Sequence, residues 1–191
     1  MKEPGIFKHS HEALRFALNY SSQQYPMTPL SKMVKGQSVG GGRGLVGLDG
    51  AAQAGMVLTE LGELSHVERA TLVARCAPRA LRCECRQPCC AGERLNPVWE
   101  ESVRELTEHS LTALSGTLSH YRVRRGCVER YFGAKVKFTE IADLCRLNRH
   151  TVSTHNQAIV KMLKGLERRA WEAFDAAVDG RGMLLPEGAI A

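Results

Sequence analysis

Long apolar runs, aromatic rings and enzyme signatures are scarce or missing in this 191-residue chain, and each scarcity removes a class of function. No stretch approaches the ~18 to 20 consecutive apolar residues that span a bilayer. The opening MKEPGIFKHSHEALRF has no signal-peptide core, so a cytoplasmic location without membrane contact is expected. Aromatics make up 6% of the residues, too few for the stacking platforms that commonly hold single-stranded nucleic acid. His-Glu-x-x-His, a nucleophile elbow and a dinucleotide fingerprint are all missing, and the expectation is that the protein is not an enzyme. The run GQSVGGGRGLVGLDG (36–50) has seven glycines but lacks the Gly-Lys-Ser/Thr ending of a phosphate-binding loop. That leaves a flexible segment able to order against a partner.

What the chain does have is positive charge, placed unevenly. Its formal charge is +6 and its isoelectric point is near 9.1, a balance that favours polyanionic partners. Between Ser119 and Trp171, twelve basic residues face four acidic ones, a local excess of eight. This excess surrounds FTEIADLCRLNRHTVSTHNQAIVKMLK (138–164), which reads as two helices joined by a short turn, a helix-turn-helix. In its first helix Ile141, Ala142, Leu144 and Cys145 recur at helical spacing, and Leu147 plugs the turn. Asn148 caps the second helix, whose Val152, Ile159 and Leu163 point back to the core. The outward side chains Arg149, His150, Ser153, Thr154 and Gln157 are donors of the kind that reach base edges in the major groove of double-stranded DNA. Arg124, Arg125, Lys135, Lys137 and Lys161 are the candidates for phosphate contacts around them. A solvated helical hairpin is the plainer interpretation of the same residues.

The remaining periodicity predicts a mainly α fold with no strand. Helices are expected at 10–24, from Asp49 to Leu61, from the Ser65/Glu68 capping box to Ala77, from Asn96-Pro97 to Ser115, and over 119–132 with Gly133 closing the last. The stripe Ile159, Leu163, Leu166, Ala170, Phe174, Ala177 carries the second motif helix on to about Val178, to pack on the body or on another subunit. This divides the chain into an N-terminal helix and Gly-rich flexible segment (1–48), a helical body with a Cys-rich loop at 76–96 (49–118), the helix-turn-helix DNA-binding region (119–178) and a mobile tail (179–191).

Seven cysteines in a chain expected to stay in the cytoplasm point to thiols or metal ligands rather than disulfides. Four of them fall within CECRQPCC (83–90), where Cys83, Cys85, Cys89 and Cys90 can fill a tetrahedral structural zinc site in a segment with almost no apolar content. Cys76 is a possible substitute ligand, and free or redox-active thiols are the alternative. Cys127 and Cys145 fall on apolar helix faces and are assigned to packing.

The motif, with its EIA, its TV pair and the basic-apolar helix that follows, resembles the DNA-reading end of bacterial sigma factors. The wider order, CECRQPCC, then NPVWEESV, then SHYRVRRGCVERYFGAKV leading into the motif, is similar to the phage Q-type transcription antitermination proteins and, within that group, to the AlpA-type bacterial lysis regulators. The resemblance covers about residues 45–178. It implies a nucleoid-associated factor that binds a promoter-proximal DNA element and engages RNA polymerase paused with its sigma factor. Such a factor stays at the mouth of the RNA exit channel, where nascent RNA passes, and promotes readthrough of terminators. Lys32, Lys35 and Arg43 are the N-terminal candidates for the surface facing that RNA. A conventional operator-binding repressor or activator, dimerising through the 159–178 stripe, is the main rival. A non-DNA interaction module is the third reading.

Overall fold

The computed structural model describes residues 5–24, 48–83, 85, 87, 88, 90–114 and 119–186. Lys32, Lys35, Arg43, Cys89 and nearly all of the glycine-rich run therefore lie outside the described residues. The chain runs through α1 (Ser10–Gln24), α2 (Leu48–Glu63), α3 (His66–Cys76), β1 (Ala80–Arg82), β2 (Glu93–Leu95), α4 (Pro97–Ala113), α5 (Tyr121–Tyr131), α6 (Phe138–Cys145) and α7 (Arg149–Gly180). The fold is mainly helical, as its periodicity predicts.

Local chemistry sets several of these boundaries. Ser65 Oγ accepts from the Glu68 N–H at 3.4 Å and donates to its carboxylate at 2.5 Å, opening α3. Asn96 accepts from the Val98 N–H at 3.1 Å ahead of Pro97, opening α4. Gly133 follows α5 at φ +89°, a backbone conformation costly to any residue bearing a Cβ. Gly126 lets α5 and α6 cross closely, since a Cβ there would sit 2.7 Å from Ile141 Cδ1.

Two apolar clusters share the long helix α7. The first gathers Trp99, Val103 and Leu106 of α4, Val123, Cys127 and Val128 of α5, Ile141 and Ala142 of α6, and Val152, Ile159, Leu163 and Leu166 of α7. The second joins Leu14 and Ala17 of α1, Val57 and Leu61 of α2, and Leu72 and Val73 of α3 to Ala170, Phe174 and Val178 at the far end of α7. The core thus runs across the 118/119 boundary, and the α7 stripe packs on the body of its own chain. Val178, rather than Ala177, is its last buried member.

Between the clusters, α7 is pinned by a polar knot. Arg75 donates to both oxygens of Glu167, Nε at 2.6 Å and Nη2 at 2.8 Å, while Tyr131 Oη donates to Oε2 at 2.5 Å. The Arg75 guanidinium also lies 4.9 Å from the Tyr131 ring centroid and 5.0 Å from that of Phe132. Burial alone pushes the Glu167 carboxyl up, but the hydrogen bonds from Arg75 and Tyr131 outweigh it and hold it below the usual carboxylate range. Burial first, then the bond to Glu167, pushes Tyr131 up to about 12.

Two expectations need correction. Residues 179–191, expected as a mobile tail, are docked as far as Leu185. Met183 is buried, its carbonyl accepts from the N–H groups of Ile6 and Phe7 at 3.1 and 3.3 Å, and Leu185 N–H donates to Phe7 O at 2.8 Å. A methionine that fills the second cluster and a backbone that finds hydrogen-bond partners order a segment with no periodicity of its own. The other correction is the hairpin β1–β2, antiparallel with Ala80 opposite Leu95 and Arg82 opposite Glu93, where no strand is expected.

Candidate nucleic-acid interface and cysteine centre

Three residues, Arg146, Leu147 and Asn148, separate α6 from α7. Arg146 turns the chain with φ 54°, a left-handed conformation unusual for a residue other than glycine. Leu147 N–H donates to Ala142 O at 2.9 Å, and its side chain packs on the first cluster. Asn148 Oδ1 then accepts from the His150 N–H at 2.8 Å, which starts α7.

Val152 and Ile159, both fully buried, anchor the start of α7 and decide which side faces outward. Arg149, His150, Thr154, Gln157 and Lys161 are exposed, and Ser153 is half-buried. The Thr154 hydroxyl donates to His150 O at 3.1 Å and keeps its oxygen free to accept. The structure thus brings these six residues to one end of one helix.

The flanking basic residues divide. Lys135 and Lys137 are exposed beside α6, Lys137 within 3.5 Å of Glu140. Arg146, Arg149, Lys161 and Lys164 are exposed and make no ion pair among the described residues. Arg124 is only 4% exposed, and it donates to Thr107 O at 3.2 Å and Ser119 O at 2.7 Å. Its candidacy as a phosphate contact is replaced by an interior role, because from α5 its buried guanidinium ties the Thr107 carbonyl of α4 to that of Ser119. Arg125 is held by Glu129 at 2.8 Å and Glu100 at 3.2 Å, so its charge is largely neutralised within the fold. The hydrogen bond to Glu129, acting against burial, pushes its already high pKa further up.

Leu144 also departs from its expected place. It is 70% exposed, on the outer face of α6 with Glu140 and Asp143, while Ile141 and Ala142 alone are buried in that helix. Asn156, on the half-buried side of α7, carries a buried Oδ1 with no hydrogen-bond partner among the described residues. Nothing in its spacing sets it apart in the sequence.

The second candidate site lies in the loop between β1 and β2. The sulfurs of Cys83, Cys85 and Cys90 all lie within 4.8 Å of one another, a cluster able to hold a metal ion. Cys83 N–H donates to Gly92 O at 2.8 Å, continuing the β1–β2 ladder into the loop, and Gly92 N–H points at Cys90 Sγ at 3.4 Å. The Gln87 N–H first, then the Cys90 and Cys83 thiols, lower the Cys85 pKa, which favours its thiolate. Three cysteine sulfurs in one cluster are a donor set that, deprotonated, fits a soft or borderline metal. Cys89 lies outside the described residues. Cys76 does not join the cluster, because it is buried at the end of α3, where burial pushes its thiol up to about 12. Cys127 is likewise sealed in the first cluster and pushed up to about 11. Cys145 is half-buried against the same cluster.

No family model, curated protein or solved structure matches this chain. No helix among the described residues is long and apolar enough to cross a membrane.

Proposed function

We propose that this protein is a sequence-specific DNA-binding transcription antitermination factor, which loads on promoter-proximal RNA polymerase with its sigma factor and promotes readthrough of terminators. The observation that carries the DNA half is the exposed polar end of α7. Arg149, His150, Ser153, Thr154, Gln157 and Lys161 lie together there, behind a three-residue turn, on a helix whose opposite face is buried. Read as a helix-turn-helix, that end enters the major groove, and Arg146, Lys135, Lys137 and Lys164 supply sequence-independent attraction to phosphates. The antitermination half is supported by the resemblance of residues 45–178 to Q-type proteins. In that role a second surface meets the polymerase and nascent RNA, and the factor works on the nucleoid.

The cysteine centre takes a structural part in this reading. Cys83, Cys85 and Cys90, with Cys89 as the fourth candidate, would hold zinc, which supplies the cross-link that a loop with little apolar content lacks.

An operator-binding repressor or activator would use the same end of α7. The symmetric dimer through residues 159–178 loses its ground, because Ile159, Leu163, Leu166, Ala170, Phe174 and Val178 are buried within the chain.

A transcription assay with purified polymerase separates the two readings. On a template carrying the DNA element selected by the protein near the promoter and a terminator downstream, added protein should raise the fraction of transcripts that read through. Deleting the element should abolish the rise. A change in initiation frequency alone, at constant readthrough per transcript, would replace antitermination with promoter regulation.

A further inference from the structure

We propose that the cysteine centre is also a site of reversible oxidation, at which a hydroperoxide couples Cys90 to Cys83 or Cys85, ejects the bound metal and loosens the hairpin while the helical body stays folded. This rests on the zinc reading above and adds a reaction to it.

Placement of the sulfurs is the first support. Cys83, Cys85 and Cys90 converge within 4.8 Å, whereas a disulfide needs sulfurs about 2.05 Å apart, so pairing asks only for a local collapse of the loop. Access is the second. Cys85 is exposed and Cys83 and Cys90 are half-buried, while Cys76 and Cys127 are shut inside the two clusters. Cys145 belongs to no comparable group of sulfurs among the described residues.

The confinement of the damage follows from how the hairpin is fastened. Each strand has three residues and β2 is exposed along its whole length, so little apolar surface holds the loop in place. The base is clasped independently of the cysteines. Asn96 donates through Nδ2 to Pro78 O at 2.7 Å and through its backbone N–H to Arg79 O at 2.9 Å, and Trp99 Nε1 donates to Ala74 O at 3.1 Å. Opening beyond that clasp leaves α3 and α4 packed.

The chemistry balances with a hydroperoxide as the oxidant. One thiolate attacks the terminal peroxide oxygen, the O–O bond breaks, and a sulfenic acid forms with release of hydroxide from hydrogen peroxide, or of an alkoxide from an organic hydroperoxide. A second thiolate displaces the sulfenic oxygen as hydroxide, making the S–S bond. With hydrogen peroxide, two protons from solvent convert the two hydroxides to water, two sulfurs have given up two electrons, and the metal ion leaves to solvent. A dithiol reverses the step by exchange, after which the thiolates can rebind metal.

The test uses the full chain, purified reduced and assayed first for zinc. Hydrogen peroxide is added in the presence of a chromogenic zinc chelator, free thiols are then alkylated, and trypsin cuts after Arg82, Arg86 and Arg94. The expected result is release of about one zinc per disulfide, with fragment 83–86 covalently joined to fragment 87–94 and tandem mass spectrometry placing the bond on Cys90; a bond on Cys89 instead overturns the pairing. Helical circular dichroism should be unchanged, and a dithiol with added zinc should restore the reduced, loaded protein. Cys127→Ala and Cys145→Ala should release zinc as the unaltered chain does. A chain that holds zinc but keeps it under peroxide, or releases it with sulfinic or sulfonic products and no joined fragments, overturns the inference and leaves the zinc reading standing. A reduced chain purified without zinc overturns both.

Discussion

The tip of α7 and the cysteine hairpin both offer polar side chains to solvent, yet they are held by opposite means. The tip is the exposed side of a helix whose other side contributes Val152, Ile159 and Leu163 to a core, so its geometry is inherited from burial. The hairpin has Leu81 half-buried and the rest of both strands exposed, and on the zinc reading proposed above its tip is ordered by three sulfurs meeting in one place. A surface of the first kind survives as long as the whole fold does. A surface of the second kind can be lost alone, which suits a part that is to be switched or assembled separately.

Truncation in each region gives the widest separation between them. Leu163→Ala removes a fully buried side chain from the first cluster and should cost about 2 to 5 kcal/mol of global stability by urea denaturation. Cys90→Ser should instead abolish zinc binding and speed amide exchange in the loop, with the main unfolding transition left in place. If Cys90→Ser lowered the main transition as much as Leu163→Ala, the hairpin would be part of the cooperative core and the contrast would fail.

The knot at Glu167 tests how firmly the long helix α7 is tied to the body. Glu167→Gln keeps the size but removes the charge that Arg75 and Tyr131 address, and should cost about 2 kcal/mol, the scale of a charged hydrogen bond. The folded carboxyl lies below its ordinary pKa, so its contribution is complete above the usual carboxylate range and is lost as pH falls through the folded value. Stability of the two proteins, measured from neutral pH downward, should therefore converge in acid. A gap that stayed constant with pH would show that packing, not charge, links Glu167 to its neighbours.

These two regions were not equally legible in the sequence. The caps at Ser65, Asn96 and Asn148 and the stripe Ile159 to Phe174 follow local rules, and the structure has them where spacing puts them. The hairpin was hidden because ALR and ERL are too short to show alternation, and only their pairing across the loop makes them strands. The convergence of cysteines was visible, but not that Cys76 would be buried in the second cluster. Arg124 carried a legible warning: it is three and four positions before Cys127 and Val128, which places it on the apolar side of α5. Arg75 and Glu167 are 92 residues apart, so no local pattern announces their pairing.

Binding to DNA sharpens the division among the arginines. Arg149→Ala, Ser153→Ala and Gln157→Ala should each weaken binding to a selected site by about 1 to 3 kcal/mol where a bidentate base contact is lost, with the melting temperature unchanged. Lys161→Ala should weaken specific and random duplexes alike and make binding less sensitive to salt. Arg124→Ala should do the reverse of the helix-tip variants, lowering stability because a buried guanidinium and its hydrogen bonds to the Thr107 and Ser119 carbonyls are lost. Fluorescence anisotropy on both duplexes, paired with thermal unfolding, reads all three behaviours. Equal losses on specific and random DNA for the tip variants would refute direct base readout.

The smallest effect belongs to Leu144, and it is informative because spacing alone counted it with the core. Ile141 and Ala142 face the first cluster, with Ile141 against Gly126, and α6 has only eight residues, so the helix is oriented by that crossing. Leu144, three positions beyond Ile141, is rotated past the edge of the buried face and stands 70% exposed beside Asp143. Leu144→Ala should thus change global stability by no more than about 0.5 kcal/mol, as surface substitutions generally do. Ile141→Ala in the same helix should cost several times more. Urea titrations of the two variants compare one turn of one helix, so differences in helix propensity and in the unfolded chain are small. A loss of 2 kcal/mol or more for Leu144→Ala would mean that α6 is rotated from the orientation described. It would also move the turn at Arg146 and the face of α7 that follows it.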